Sequence, residues 1–315
     1  MRKIFLGILH VFTVVKYPSM HVNLRRHIRD NYYSRLYQLK YLGKDYLVKK
    51  KYKVIEFQQE FGEELLYILP FAYWHHLNET LLKTISCKDT KDLYFFSENH
   101  EEKYKMRVWR TENNSFEVPN KGHCNTFALE KWAQVPFREQ YQNERFRYDK
   151  PLLIIANKYN TEWDGVPINF LDYPTLDKII TTYKDKYQII YNRPLANEII
   201  EDNSVVLDLE EHAIIRREHP EVLLMNDLYA QHKSTVNSYN HLQLLLYANC
   251  SHFVSVHGGT AALASYFGGT NIIFSKRGVE HYFNEFSSLY PLLSGAKIVH
   301  AKTEHAVLRY LEEYY

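Results

Sequence analysis

The chain predicts an α/β protein with parallel strands, divided into two domains. Three observations carry this. Short apolar runs alternate with stretches of helical period through the second half, the pattern of strand–helix–strand units with helices on both sheet faces. The run Ser251-His-Phe-Val-Ser-Val-His-Gly-Gly-Thr-Ala-Ala-Leu-Ala-Ser-Tyr-Phe-Gly-Gly-Thr-Asn-Ile-Ile-Phe274 reads as one complete unit of that kind. The length, 315 residues, is enough for two such cores.

In chain order, Tyr52–Gln58 reads as a strand. Glu60-Phe-Gly-Glu-Glu64 is a turn into an apolar helical stretch, Leu65–Leu77, which Pro70 starts or breaks. Asp92–Ser97 reads as a second strand, and Thr111–Asn143 as a polar, irregular connection. A break near Tyr148–Pro151 divides the chain into 1–150 and 151–315. Beyond it, Leu152–Ala156, Tyr187–Tyr191, Val205–Leu207 and Val222–Met225 read as strands. Thr175–Tyr183 is a helix with Leu176, Ile179 and Ile180 on one face, and Ser238–Ala248 is another. His252–Val256 is a buried strand. Thr260 caps a helix over Ala261–Phe267, Gly268-Gly269 ends it, and Asn271–Phe274 is the next strand. Val307–Tyr314 is a terminal helix, expected to pack back toward the first domain.

Apolar residues at 45% and charged residues at 24% suit a soluble globular protein. Net charge is only +2, but residues 1–53 hold thirteen Lys/Arg against Asp30 and Asp45, a net +11. The other 262 residues therefore carry −9. That asymmetry argues against a general nucleic-acid binder and for one basic surface. Cys87, Cys124 and Cys250 lie far apart, with no CxxC and no zinc-type spacing, so reduced thiols and a cytoplasmic setting are expected. Ile4–Val15 is too short to span a bilayer and lacks a small-residue cleavage site. It is either the first buried element or an interfacial anchor to an anionic membrane, backed by Arg25, Arg26, Arg29, Arg35, Lys40, Lys44 and Lys49 to Lys51.

The glycines of the 251–274 unit point to an anion. Where a strand meets a helix, bare N–H groups and the helix dipole favour negative charge, and glycine lets a phosphate approach the main chain. His257 adds a donor at the carboxyl end of the strand, the edge where open α/β sheets bind ligands. The plainer alternative is a tight turn at Gly258-Gly259 with no ligand.

His257-Gly-Gly-Thr260 resembles the glycine turn that cradles the donor diphosphate in GT-B glycosyltransferases. Glu60-Phe-Gly-Glu-Glu-Leu65 resembles their acceptor-facing turn. Both, with Lys158-Tyr-Asn160 and Asn192-Arg-Pro194, are similar in wording to transferases of bacterial surface-glycan loci. The likeness extends over about 150–300, is weaker over 52–100 and is absent over 1–50. It implies two Rossmann-like domains facing a cleft: an acceptor side at 1–150 and a nucleotide-sugar side at 151–315. It implies a hexosyl- or deoxyhexosyl-transferase of polysaccharide biosynthesis, with a nucleotide-sugar donor and a glycan or glycolipid acceptor. The compact first half departs from that plan.

A diphosphate leaving group needs cations or N–H donors. Without metal or cofactor these are Lys158, Arg193, Lys276, Arg277 and the turn Gly258, Gly259, Thr260 with His257. An acceptor hydroxyl needs a base, for which Glu60, Glu64 and Asp164 stand nearest by motif. Glu280 follows the Asn271–Phe274 strand, and the resemblance to GT-B enzymes implies that it holds a ribose hydroxyl pair. Each has a structural alternative: Arg193 in a strand-end ion pair, Lys158 solvated, Glu60 and Glu64 favouring a helix N-terminus, Asp164 in a turn. His75 and His76 read as partly buried residues beside Trp74, and Asp208-Leu-Glu210 as a chance match to a metal-binding pair. Rival functions are a sugar-nucleotide epimerase or pyruvyl transferase of the same fold, and a non-catalytic glycan-binding scaffold.

Overall fold

The computed structural model describes residues 2–108, 116–124, 127, 129–196, 198–199 and 204–315. It contains two sheets, each parallel throughout. The smaller is built from β1 (Lys53–Glu56), β2 (Leu81–Cys87) and β3 (His100–Tyr104), in that order. The larger comprises β4 (Leu152–Ala156), β5 (Gln188–Asn192), β6 (Leu223–Leu224), β7 (His252–Val256), β8 (Thr270–Phe274) and β9 (Lys297–Ala301). Its order is β6-β5-β4-β7-β8-β9. The chain starts in the middle, winds out to one edge, returns beside its start and winds out to the other. This is the Rossmann order, and it places a topological switch between β4 and β7.

The central strands are apolar on both faces because helices cover both: β4 is buried at every residue. One core runs from the smaller sheet to the near face of the larger, joining Ile55, Phe57, Leu65 and Phe71 to Ile154, Phe253 and Ala261. A second lies on the far face, around Leu153, Ile155, Ile179, Val254 and Phe274. Three helices of the larger sheet begin at side-chain caps. Asp172 accepts from Thr175 N at 3.0 Å, Ser238 from His241 N at 3.1 Å and Thr303 from Ala306 N at 3.1 Å. Such caps contribute about 1 kcal/mol each.

Pro70 does not break its helix. The run passes through Phe61–Glu63, a π-helical turn at Glu64–Ile68, and Leu69–Leu77. The wider turn lies where Pro70 would otherwise owe an N–H to the carbonyl four residues back. Asp92–Ser97 is a series of turns, not a strand: Leu93 N bonds Thr90 O, Tyr94 N bonds Lys91 O and Ser97 N bonds Tyr94 O. The strand positions it was expected to fill belong to β2 and β3. Val205–Leu207 is no strand of the sheet either. Val206 makes an isolated antiparallel bridge to Asn160. The predicted connection over Thr111–Asn143 lies in part outside the described residues.

Two further expectations are corrected. The terminal helix Glu304–Tyr314 buries Val307 and Leu311 in the far core of the larger sheet and packs on β8 and β9, not toward the smaller sheet. The apolar Ile4–Val15 forms a helix, Arg2–Lys16, but is not a buried element. Ile4, Ile8, Val11 and Val15 are each at least 60% exposed, and only Thr13 is buried. Among the described residues no helix is long and apolar enough to cross a membrane.

Candidate functional site

The carboxyl ends of β4 and β7 open into a cavity of about 1280 Å³. Elements of both sheets wall it. The smaller sheet supplies Glu60, Phe61, Gly62 and Glu63. The larger supplies Asn157, Lys158, Trp163, His257, Gly258 and Thr260. This is the crevice at the switch point where doubly wound sheets hold ligands.

The glycine turn forms because β7 must reverse sharply into the short helix Gly259–Ala264. Gly258 takes φ +98° at the helix N-cap, a conformation side chains rarely adopt. A Cβ there would lie 3.8 Å from Lys158 Nζ, so the ammonium stands over the bare backbone. Gly259 is glycine for a different reason. A Cβ on it would meet Phe61 Cδ1 at 2.8 Å, and Gly62 backs onto Gly259 N. The place reserved by Gly259 is therefore filled by a ring from the smaller sheet's helix. Thr260 does not cap the helix. Its hydroxyl donates to Val256 O, and no side chain caps this terminus. Phe61–Glu63 likewise starts without a side-chain cap, so two uncapped helix starts meet at the cavity.

His257 is buried. Its Nε2 lies 3.4 Å from Glu280 Oε1, its Nδ1 2.9 Å from Ser275 Oγ, and Ser275 Oγ is 2.8 Å from His281 Nε2. Burial first, then the positive potential of Lys158 and neighbouring histidines, holds the His257 pKa well below the usual imidazole range. Gly278 admits this packing, since a Cβ there would fall 2.3 Å from His257 Cε1 and 2.6 Å from Glu280 Oε2. Burial raises the Glu280 carboxyl, opposed by His123 and reinforced by Glu285.

The other sequence-predicted residues divide. Lys158 is in the cavity, paired with Glu162 Oε1 at 3.3 Å. Glu60 is in its wall. Glu64 is not brought there. It is fully buried under the smaller sheet, accepting from Arg107 Nη2 at 2.6 Å, Tyr94 OH at 2.7 Å and Ser86 Oγ. Arg193 is also spent internally. Its guanidinium is 1% exposed and grips Glu211 through Nε and Nη2, the latter at 3.1 Å. Asp164 is exposed and paired with Arg277, while Lys276 meets Glu304 Oε1 at 2.6 Å. Glu280 turns its carboxylate toward His257 and toward His123 and Glu285. His75 is buried with Nδ1 2.8 Å from Thr80 Oγ1, in line with its structural reading.

Sequence reasoning missed His123 and Glu285. His123 Nδ1 is 3.0 Å from Glu285 Oε1, across 162 residues of chain, a separation no spacing rule addresses. Burial alone would lower the His123 pKa, but Glu285, with Glu280 and Glu63, outweighs it and lifts it to about 9.

No protein-family model matches the chain, and no curated protein matches it. Among solved structures it is similar to the crystal structure of the bacterial iron-containing dodecameric glycosyltransferase TibC from enterotoxigenic E. coli H10407. Identity is 12% and the TM-score 0.37. The match covers 79% of this chain, which spans only 61% of TibC. A likeness this slight carries no argument, and the functional reading rests on the cavity.

Proposed function

We propose that this protein is a glycosyltransferase that moves a sugar from a nucleotide-sugar donor to a glycan or glycolipid acceptor. The observation that carries the reading is Lys158 Nζ poised over Gly258 in a 1280 Å³ cleft at the switch point of a Rossmann-ordered sheet. Pockets for drug-sized ligands run to about 1,000 Å³, so the cleft has room for a sugar nucleotide. Lys158 and the main chain at Gly258 would meet the diphosphate, where leaving-group charge develops. In this reading residues 151–315 bind the donor and 1–150 face the acceptor. Glu60, which lines the cleft, is then better placed than the buried Glu64 or the ion-paired Asp164 to take the acceptor's proton.

The N-terminal segment supports a second contact, with an anionic membrane surface. The helix Arg2–Lys16 leaves its apolar side chains in solvent. The segment that follows exposes Leu39, Leu42, Leu47 and Val48 beside the exposed Lys40, Lys44, Lys49, Lys50 and Lys51. Apolar groups and lysines together suit a lipid interface.

The test is a screen of UDP-, GDP-, CMP- and dTDP-sugars by melting temperature, followed by mass analysis of products with glycan and glycolipid acceptors. One donor should raise the melting temperature and lose its sugar to an acceptor. Conversion of a donor to an isomer with no acceptor would replace the transferase with an epimerase. No response to any donor would remove the enzyme reading.

A further inference from the structure

We propose that His123 Nδ1 and the carboxylates of Glu280 and Glu285 bind one divalent transition-metal cation, of the zinc or manganese type, in the wall of the cleft. The three ligand atoms lie within 4.8 Å of one another. Ligands sharing an ion at bonds of about 2.0–2.2 Å stand about 3–4 Å apart, so closure on a cation needs the side chains to approach by about 1–2 Å. His123 and Glu280 line the cavity, and Glu285 stands behind them, 2% exposed.

Local structure aims the two carboxylates together. Glu280 opens the helical turn Glu280–Phe283 and Glu285 opens Glu285–Ser288. Between them Asn284 takes the left-handed conformation, φ 56°, which bends the chain so that residues five apart reach one point. The His123 ring is fixed by Phe283, stacked at 8° with centroids 6.0 Å apart, and by His27, edge-on at 5.2 Å.

A second, independent observation points to a ligand here. Glu285 Oε2, Tyr67 OH and Tyr290 OH are all buried and none has a hydrogen-bond partner. The two phenols line the same cavity as His123 and Glu280. Buried polar atoms are normally satisfied. A cation on the carboxylates gives Glu285 Oε2 the partner it lacks. His123 alone can balance only one of two neighbouring carboxylates. The donor set of one imidazole nitrogen and two carboxylates suits zinc or manganese, whereas magnesium favours oxygen ligands alone. No sequence pattern marks this site, since its ligands come from residues 123, 280 and 285. The site stands whatever substrate the cleft takes.

The test uses the full chain, stripped with chelator and titrated with Co²⁺ as an optical probe, then challenged with Zn²⁺, Mn²⁺ and Mg²⁺. The expected result is one Co²⁺ per chain with a visible absorption band, displaced by Zn²⁺ but not by equal Mg²⁺. Glu285→Gln and His123→Asn, shown folded by circular dichroism, should each weaken binding about tenfold or more. Should either variant unfold, the wild-type protein still decides: added Zn²⁺ must raise its melting temperature. Absence of saturable binding, no shift with Zn²⁺, or equal binding by both folded variants would overturn the proposal.

Discussion

Phe61 Cδ1 stands 2.8 Å from where a Cβ on Gly259 would be. The glycine turn of the larger sheet and the helix start of the smaller one are thus fitted to each other, main chain against ring. Gly259 is needed for the junction of the two sheets, and Gly258 faces the cavity.

Gly259→Ala should therefore destabilise the protein by about 1–3 kcal/mol, the usual cost of overpacking. Phe61→Ala made with it should recover part of that loss. Denaturant unfolding of the two single variants and the double gives the coupling, expected at about 0.5 kcal/mol or more. Additive effects would separate the two residues.

Glu64 and Glu60 should respond differently to the same change. Glu64→Gln leaves Arg107 buried, 4% exposed, without its carboxylate. Breaking a buried pair costs about 3–5 kcal/mol, read as a lower midpoint of unfolding. Glu60→Gln should reduce transfer to an acceptor. A stable Glu64→Gln protein would contradict the buried-pair account.

Acid should weaken the fold in part through His75. Burial, with Lys53 and Lys131, pulls its pKa from 6.5 down to about 2. The unfolded chain therefore binds a proton that the folded chain refuses. His75 contributes its stability above pH 6.5, and that contribution falls away as pH drops from 6.5 toward the folded value. His75→Gln should flatten the loss of melting temperature between pH 6.5 and 4. An unchanged slope would clear His75 of this role.

The exposed N-terminal helix and lysines should hold anionic vesicles. Co-sedimentation should rise with anionic lipid and fall with salt, since surface charge is screened within about 8 Å at physiological ionic strength. Ile8→Asp should reduce it by removing apolar insertion. Binding that ignores both salt and this substitution would exclude the patch.

Five strands of the larger sheet were legible because they are short, apolar and bounded by clear turns; its edge strand Lys297–Ala301, with Lys297 and His300 among five residues, was not. Leu152–Ala156 and His252–Val256 match the structure end to end. The smaller sheet was legible only in its first strand, Lys53–Glu56, which lies inside the expected Tyr52–Gln58. His100–Tyr104 is His-Glu-Glu-Lys-Tyr, an exposed edge strand with no apolar face to read. Leu93, Tyr94 and Phe96 are buried in turns, where their apolar character imitates a strand. Motif position pointed to Lys158, His257 and Gly258, which sit at strand ends and line the cavity. It could not tell a cavity carboxylate from one consumed by the core, as with Glu64, or an available arginine from one already held, as with Arg193 and Glu211.

The central claim is that the cleft receives a diphosphate at Lys158 and Gly258. Gly259→Val is a poor probe of it, because the new side chain would strike Phe61 whether or not a phosphate binds. The direct measurement is calorimetric titration of nucleoside diphosphates and the matching nucleosides into wild-type and folded Lys158→Ala protein. A hydrogen bond to a charged group is worth about 1.5–3 kcal/mol. The account predicts that Lys158→Ala weakens the preferred diphosphate by about tenfold or more and leaves the nucleoside unchanged. Equal diphosphate affinity in the two proteins would contradict it.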